Sequence, residues 1–207
     1  MDDLGPASDD QVILAWLQAE IASPPFQSYL IGDPPQPSHL ARGLALARNP
    51  DLDNAEHNAE RRRIIASAHG FGRGALIFAG LDDDIKWRRV RASIADVAAM
   101  LYSNRNATWT TLAPATRKVA EGAANAARVF SGDDTNMHIL SLASTICHAE
   151  PAPFLSELIC LRLPGGGVSL LEGHTRATAI VLEGHRLPNG VEAYIGDSPS
   201  VKDWAYL

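Results

Sequence analysis

Apolar positions recur at helical spacing over residues 9–22, where Val12, Ile13, Trp16, Leu17, Ala19 and Ile21 form one stripe behind Asp9 and Asp10. Ser23-Pro24-Pro25 ends this helix, and Asp33-Pro34-Pro35-Gln36-Pro37 reads as a stiff connector. Ser38 is placed to cap a short helix that runs to Arg48, where Asn49-Pro50 stops it. A third, charge-rich helix is expected from Asn54 to Ala68. Residues 1–70 therefore read as a helical N-terminal extension, closed by the break Gly70-Phe71-Gly72-Arg73-Gly74.

Beyond that break the period changes. Ala75 to Ala79 is a short apolar run of buried-strand length. Ile85 to Val90 alternates as a strand, with Ile85 and Trp87 on one face. Ser93 and Asp96 make a capping-box start for a helix whose stripe is Ile94, Val97, Ala98 and Leu101. Pro114 is expected to open another helix, ended by Gly132. Asp134 or Thr135 then caps one through Met137, Ile139, Leu140, Leu142 and Ile146. Glu157 to Leu163 reads as a strand, Pro164-Gly165-Gly166-Gly167 as its turn, and Val168 to Leu171 as the returning strand of a hairpin. Residues 174–183 follow as a helix ending at Gly184, Val191 to Ile195 as a last strand, and Ser198-Pro199 as the entry to a helical turn with Trp204. The expected class is α+β, a small mixed sheet with interleaved helices over residues 71–207 and a helical insertion near 103–147.

Composition adds boundaries rather than chemistry. The hydrophobic fraction is 46% and the charged fraction 20%, as in an ordinary globular chain, and no apolar run reaches membrane-spanning length. The N-terminus is acidic and lacks the basic start and apolar centre of a signal peptide, so a cytoplasmic location is expected. Cys147 and Cys160 sit among apolar residues at no metal-ligand spacing, which favours buried free thiols. The net charge of −6 is uneven: residues 1–60 hold 2 basic and 10 acidic residues, residues 61–128 hold 12 and 5, and residues 129–207 hold 4 and 9. An acidic total argues against indiscriminate nucleic-acid binding. The basic middle is expected to be a solvated or internally neutralised face, with Arg61-Arg62-Arg63 a solvated helix face. The acidic extension could contact a basic protein partner.

The segment richest in chemistry is Leu170-Leu171-Glu172-Gly173-His174-Thr175-Arg176-Ala177. A strand that breaks at one glycine and opens a helix aims backbone N–H groups at an anion, phosphate above all. Arg176 adds a planar, permanent charge in the first helical turn. Gly173, Thr175 and Arg176 are the candidate phosphate-binding residues, and Glu172 and His174 the candidates for orienting a substrate or moving a proton. Glu150 lies in the loop before the hairpin and is a further candidate acid or base. The four tryptophans, Trp16, Trp87, Trp109 and Trp204, read as core or interface residues. No cluster of metal-binding carboxylates surrounds the turn, and no metal site is expected.

This turn, with a Gly-rich hairpin before it and a helix after it, resembles the signature box of the ParB/sulfiredoxin superfamily. Its members carry Gly-x-x-Arg after a strand, as Gly-Glu-Arg-Arg in ParB proteins, Gly-Cys-His-Arg in sulfiredoxin and Asp-Gly-His-His-Arg in the free-serine kinases. Gly173 and Arg176 match the fixed pair, while Glu172 and His174 match the serine kinases' acidic residue and first histidine. The resemblance implies a ParB/sulfiredoxin-like fold that binds ATP or another nucleotide, with or without Mg²⁺, and phosphoryl transfer or NTP hydrolysis as reaction class. His174 stands where sulfiredoxin has its catalytic cysteine, which excludes that chemistry. Thr175 replaces ParB's first arginine, and the roughly thirty residues after the box argue against a partition protein's helix-turn-helix. The alternative to a nucleotide-binding protein is a non-catalytic protein-interaction module or a DNA-binding regulator using Arg88 and Arg89.

Overall fold

The computed structural model describes residues 1–21, 26–28, 37–68, 75–128, 134–151 and 155–207. The expected breaks at Ser23-Pro24-Pro25, Asp33 to Gln36, Gly70 to Gly74 and Gly132 lie outside them. The architecture is mixed α+β around a five-stranded sheet of order β1-β2-β5-β3-β4. Its strands are β1 (Asp2–Ala7), β2 (Lys86–Ala92), β3 (Leu158–Arg162), β4 (Val168–Glu172) and β5 (Val191–Asp197). All neighbouring pairs are antiparallel except β3 and β5, which run parallel.

Strand β1 is absent from the pattern of apolar positions. Its residues are mostly exposed, and it earns its place through backbone pairing with β2, with a register shift between Asp3 and Gly5. At the sheet's other end, Leu101 bonds the outer edge of β4 through Leu101 N–H to Val168 O and Leu170 N–H to Leu101 O, both 2.8 Å. That edge is thereby covered.

Helices lie on both faces of the sheet. Helix α1 (Asp9–Glu20) starts at Ser8, whose hydroxyl accepts from Gln11 N–H while the Gln11 side chain accepts from Ser8 N–H, a reciprocal capping box. With α2 (Pro37–Arg48) and α3 (Ala55–Ala68) it covers one face, packing Val12, Ile13, Trp16 and Leu17 over Trp87, Ile159, Leu161, Leu171 and Tyr194. Trp87 Nε1 donates to Asp9 Oδ1 at 3.0 Å, which ties the sheet to the helix start. The residues read as an extension thus supply an edge strand and one of three layers.

The opposite face buries Val90, Ala92, Leu158, Cys160, Leu170, Ala193 and Ile195. Over it lie α4 (Ile94–Ala99), α6 (Val119–Arg128), α7 (Asp134–His148) and α8 (His174–Leu182), with the short α5 (Ala107–Leu112) beside α6. The box at Ser93 and Asp96 forms as its spacing predicts, with both side chains bonding back to the backbone.

Two expected elements differ. The run Ala75 to Ala79 is a single 3-10 turn, Leu76–Phe78, with Leu76 largely exposed. Its carbonyls serve the C-terminal segment instead of a ladder: Trp204 Nε1 donates to Ile77 O at 3.0 Å and Ala205 N–H to Ala79 O at 2.9 Å. Pro114 opens a turn, not a helix. The Glu121 carboxylate accepts from Ala115 N–H at 3.0 Å and Thr116 N–H at 2.7 Å, Arg117 takes a positive φ, and α6 begins only at Val119.

Part of the basic middle is paired with acidic residues of the two ends. On β2, Arg88 pairs with Asp3, Arg89 with Glu157 at 3.2 Å and Arg91 with Glu192 at 3.0 Å; outside that middle, Arg162 on β3 pairs with Asp197 at 2.7 Å. Arg88 and Arg89, the residues of the DNA-binding alternative, are both committed.

Arg61 departs from its solvated reading and is fully buried. Its guanidinium donates to Leu46 O at 3.1 Å, Asp51 O at 3.2 Å, Asn58 Oδ1 at 2.6 Å and Asn49 O. It thus satisfies carbonyls left over where α2 ends. Arg61→Ala strands these acceptors in the interior and is expected to cost about 2–4 kcal/mol, read from urea denaturation midpoints. A loss below about 1 kcal/mol would contradict this role.

Candidate functional site

Strand β4 ends at Glu172, and Gly173 turns the chain into α8 with φ 97° and ψ 21°. This is left-handed backbone, which favours glycine. A Cβ here would lie 2.7 Å from Leu158 Cδ2 and 3.1 Å from Arg176 Nη2, so side-chain room is missing as well. No side chain caps the helix, and its first intrahelical bond is Ala177 N–H to Gly173 O at 2.8 Å. The N–H groups of His174, Thr175 and Arg176 precede that bond and are left for another acceptor.

These residues line a cleft of about 1090 Å³, together with Glu172 and Gly173. Across from them stand Trp16, Gln18, Ala19 and Glu20 of α1. The loop after α4 contributes Ser103 and Arg105, α5 contributes Trp109, and α7 contributes His138 and Leu142. The cleft therefore opens at the end of the sheet where the two helical layers meet.

Within the cleft the acidic and basic members of the turn are paired. Arg176 Nη2 donates to Glu172 Oε2 at 2.5 Å and to Glu157 O at 3.3 Å, and both charged side chains are mostly buried. Arg176 Nε is buried without a hydrogen-bond partner among the described residues. Cys160, beneath the turn, has its thiol pushed up by burial and by the nearby Glu172 charge. It is a buried free thiol, as expected, whereas Cys147 is only half-buried.

His174 is held by rings and by a hydroxyl. It stacks on Trp109 at 5.1 Å between centroids and on Tyr102 at 5.9 Å, and its Nε2 lies 3.1 Å from Ser103 Oγ. Tyr102 in turn bonds Thr178 Oγ1 at 2.6 Å, and that hydroxyl donates to His174 O at 2.8 Å. Burial first, then the charges of Arg105 and Arg176, push the imidazole down to about 3. Among the described residues no carboxylate hydrogen-bonds the ring. A serine–histidine pair with so weak a base and no orienting acid lacks the parts of a nucleophilic triad.

The structure thus brings Glu172, Gly173, His174, Thr175 and Arg176 to one cleft and leaves Glu150 outside it. Glu150 is an exposed carboxylate paired with Arg186 at 2.9 Å. Ser103, Arg105 and the α1 wall carry no local motif, and only their place in the fold discloses them. Among the described residues no group of three His, Cys, Asp or Glu could hold a metal ion, and no helix is long and apolar enough to cross a membrane. No protein-family model, curated protein or solved structure matches this chain.

The low basicity of His174 has a measurable sign. Between about pH 3 and 6.5 the unfolded chain binds a proton at this ring and the native protein does not, so stability falls as pH drops through that window. His174→Gln removes this contribution. Urea denaturation at about pH 4 and pH 7 is expected to show a larger acid loss for wild type than for the variant, by on the order of a few kcal/mol. Equal losses would contradict a ring held neutral in the native protein.

Proposed function

We propose that this chain is a ParB/sulfiredoxin-like nucleotide-binding protein whose ligand, ATP or another nucleotide, sets its phosphate on the first turn of α8. The observation that carries the reading is the strand–Gly173–helix turn itself: left-handed, without a side-chain cap, and opening on a cleft of about 1090 Å³. That volume accommodates a nucleotide-sized ligand, and aromatic and aliphatic walls with a few convergent polar groups suit one. Gly173, Thr175 and the backbone N–H groups bind phosphate in this reading, while Arg176 secures the turn. Mg²⁺, in this reading, would accompany the nucleotide and supply neutralisation of its phosphate charge. The reaction class is phosphoryl transfer or NTP hydrolysis, in which positioning and charge stabilisation do most of the catalysis.

One observation favours a non-catalytic version of the same binding. Glu172 is engaged by Arg176, and His174 is neutral and bonded to Ser103, so both candidate proton carriers are occupied. A phosphate-release assay on the nucleotide that binds separates turnover from binding alone.

The binding test is a thermal-shift panel of ATP, ADP, CTP and GTP with and without Mg²⁺. A ligand at about 100 times its Kd adds about 2.7 kcal/mol, a shift of roughly 5–10 °C for a chain of this size. Gly173→Ala, which places a methyl against Leu158 and Arg176 at a left-handed position, is expected both to lower the unliganded melting temperature and to abolish the shift. Absence of any shift at saturating nucleotide defeats the reading.

A further inference from the structure

The anion-binding reading of the cleft leaves open which side chain meets the ligand's charge. Two arginines line the cleft, Arg105 and Arg176. Arg176 is mostly buried and already donates to a carboxylate and a carbonyl that flank the turn. Arg105 is exposed to the cleft and takes part in no ion pair among the described residues. We propose that Arg105 is the binding residue that engages the anionic group seated on the first turn of α8, and that Arg176, the arginine of the box, is a positioning residue that holds the turn closed.

The turn that presents Arg105 is fixed on both sides. Ser103, only 3% exposed, bonds the His174 ring, so the residue two places before Arg105 touches the first residue of α8. Asn104 is tied to the C-terminal segment twice, through its N–H to Tyr206 O at 3.3 Å and its Nδ2 to Leu207 O at 3.0 Å. Asn106 accepts from Thr108 N–H at 2.9 Å and caps α5. The backbone that carries Arg105 is thus ordered before any ligand arrives, and only its side-chain rotamers remain to be fixed on binding. Its charge is already felt at His174, where it helps keep the ring unprotonated. A phosphate placed on the N–H groups of His174 to Arg176 therefore shares its cleft with a guanidinium that is outside any ion pair among the described residues and able to form a two-pronged, charge-assisted bond.

Isothermal titration with inorganic pyrophosphate and with ATP, on wild type, Arg105→Gln, Arg105→Lys and Arg176→Gln, tests the assignment. Arg105→Gln is expected to weaken pyrophosphate and ATP by at least about tenfold, with its unliganded melting temperature unchanged. Arg105→Lys is expected to keep an intermediate affinity, since it retains the charge but not the fork. Arg176→Gln is expected to lower the unliganded melting temperature, because Glu172 is then left without its cation. If Arg105→Gln binds both probes like wild type, the assignment is wrong while nucleotide binding at the turn survives. If wild type binds ATP but not pyrophosphate, the ligand is not held by its phosphates and the assignment is equally wrong. If wild type binds neither, the nucleotide reading falls together with it.

Discussion

The left-handed turn at Gly173, clasped by Arg176, is the constraint on which the geometry of the cleft depends. Arg176 reaches back four residues to Glu172 on the strand and across to the backbone of Glu157 before β3. It thereby joins both strands of the hairpin to the helix that follows. The direction of α8 follows from this clasp, and so does the aim of its first three N–H groups. Thr178, one turn further on, bonds both the His174 carbonyl and the Tyr102 hydroxyl, which fixes α8 against the loop that carries Ser103 and Arg105. The uncapped start of α8 and the ring stack on His174 are both arranged around this one closed turn.

A second constraint comes from burying the sheet on both sides. Ile159, Leu161, Leu171 and Tyr194 project from the face opposite α8, and α1 covers them with Trp16 and Leu17. Exposing so contiguous an apolar surface would be costly. The N-terminal helices are therefore integral to the fold, and Asp9 to Trp87 and Asp10 to Arg62 are its polar fastenings. Because α1 runs on to the end of the sheet, Gln18, Ala19 and Glu20 become a wall of the cleft. A ligand seated there touches both layers at once.

Local signals in the chain were readable to the extent that the interactions behind them are local. The capping box at Ser93, the glycine turn at 165–167, the hairpin and the strand–Gly173–helix sequence each depend on neighbours within a few residues, and each forms as its spacing predicts. What could not be read depends on partners far along the chain. Strand β1 has no apolar alternation because its support is β2, eighty or more residues away. Arg61 is indistinguishable by pattern from Arg62 and Arg63, yet it alone turns inward, toward carbonyls that only the return of the chain after α2 supplies. Leu76 to Phe78 has a strand's composition, but Trp204 and Ala205 occupy the backbone groups that a strand would need. Arg105 lies in a polar loop without a motif, and nothing short of the fold places it in the cleft that Gly173 also lines.

The charge states in the cleft also discriminate among chemistries that the turn could host. Acyl transfer by Ser103 requires a base that gains a proton during the reaction, and the His174 ring, half-buried and within reach of the charges of Arg105 and Arg176, resists that protonation. Glu172 is a poor substitute, because a proton on its carboxyl would cost the ion pair that closes the turn. Phosphoryl transfer makes the smallest demand of this kind. Its loose transition state spreads charge over oxygens that N–H groups and a guanidinium can stabilise without any change of protonation in the protein. A cleft with an uncapped helix start and an arginine outside any ion pair among the described residues, beside a histidine that resists protonation, is better matched to holding or transferring a phosphoryl group than to general-base hydrolysis.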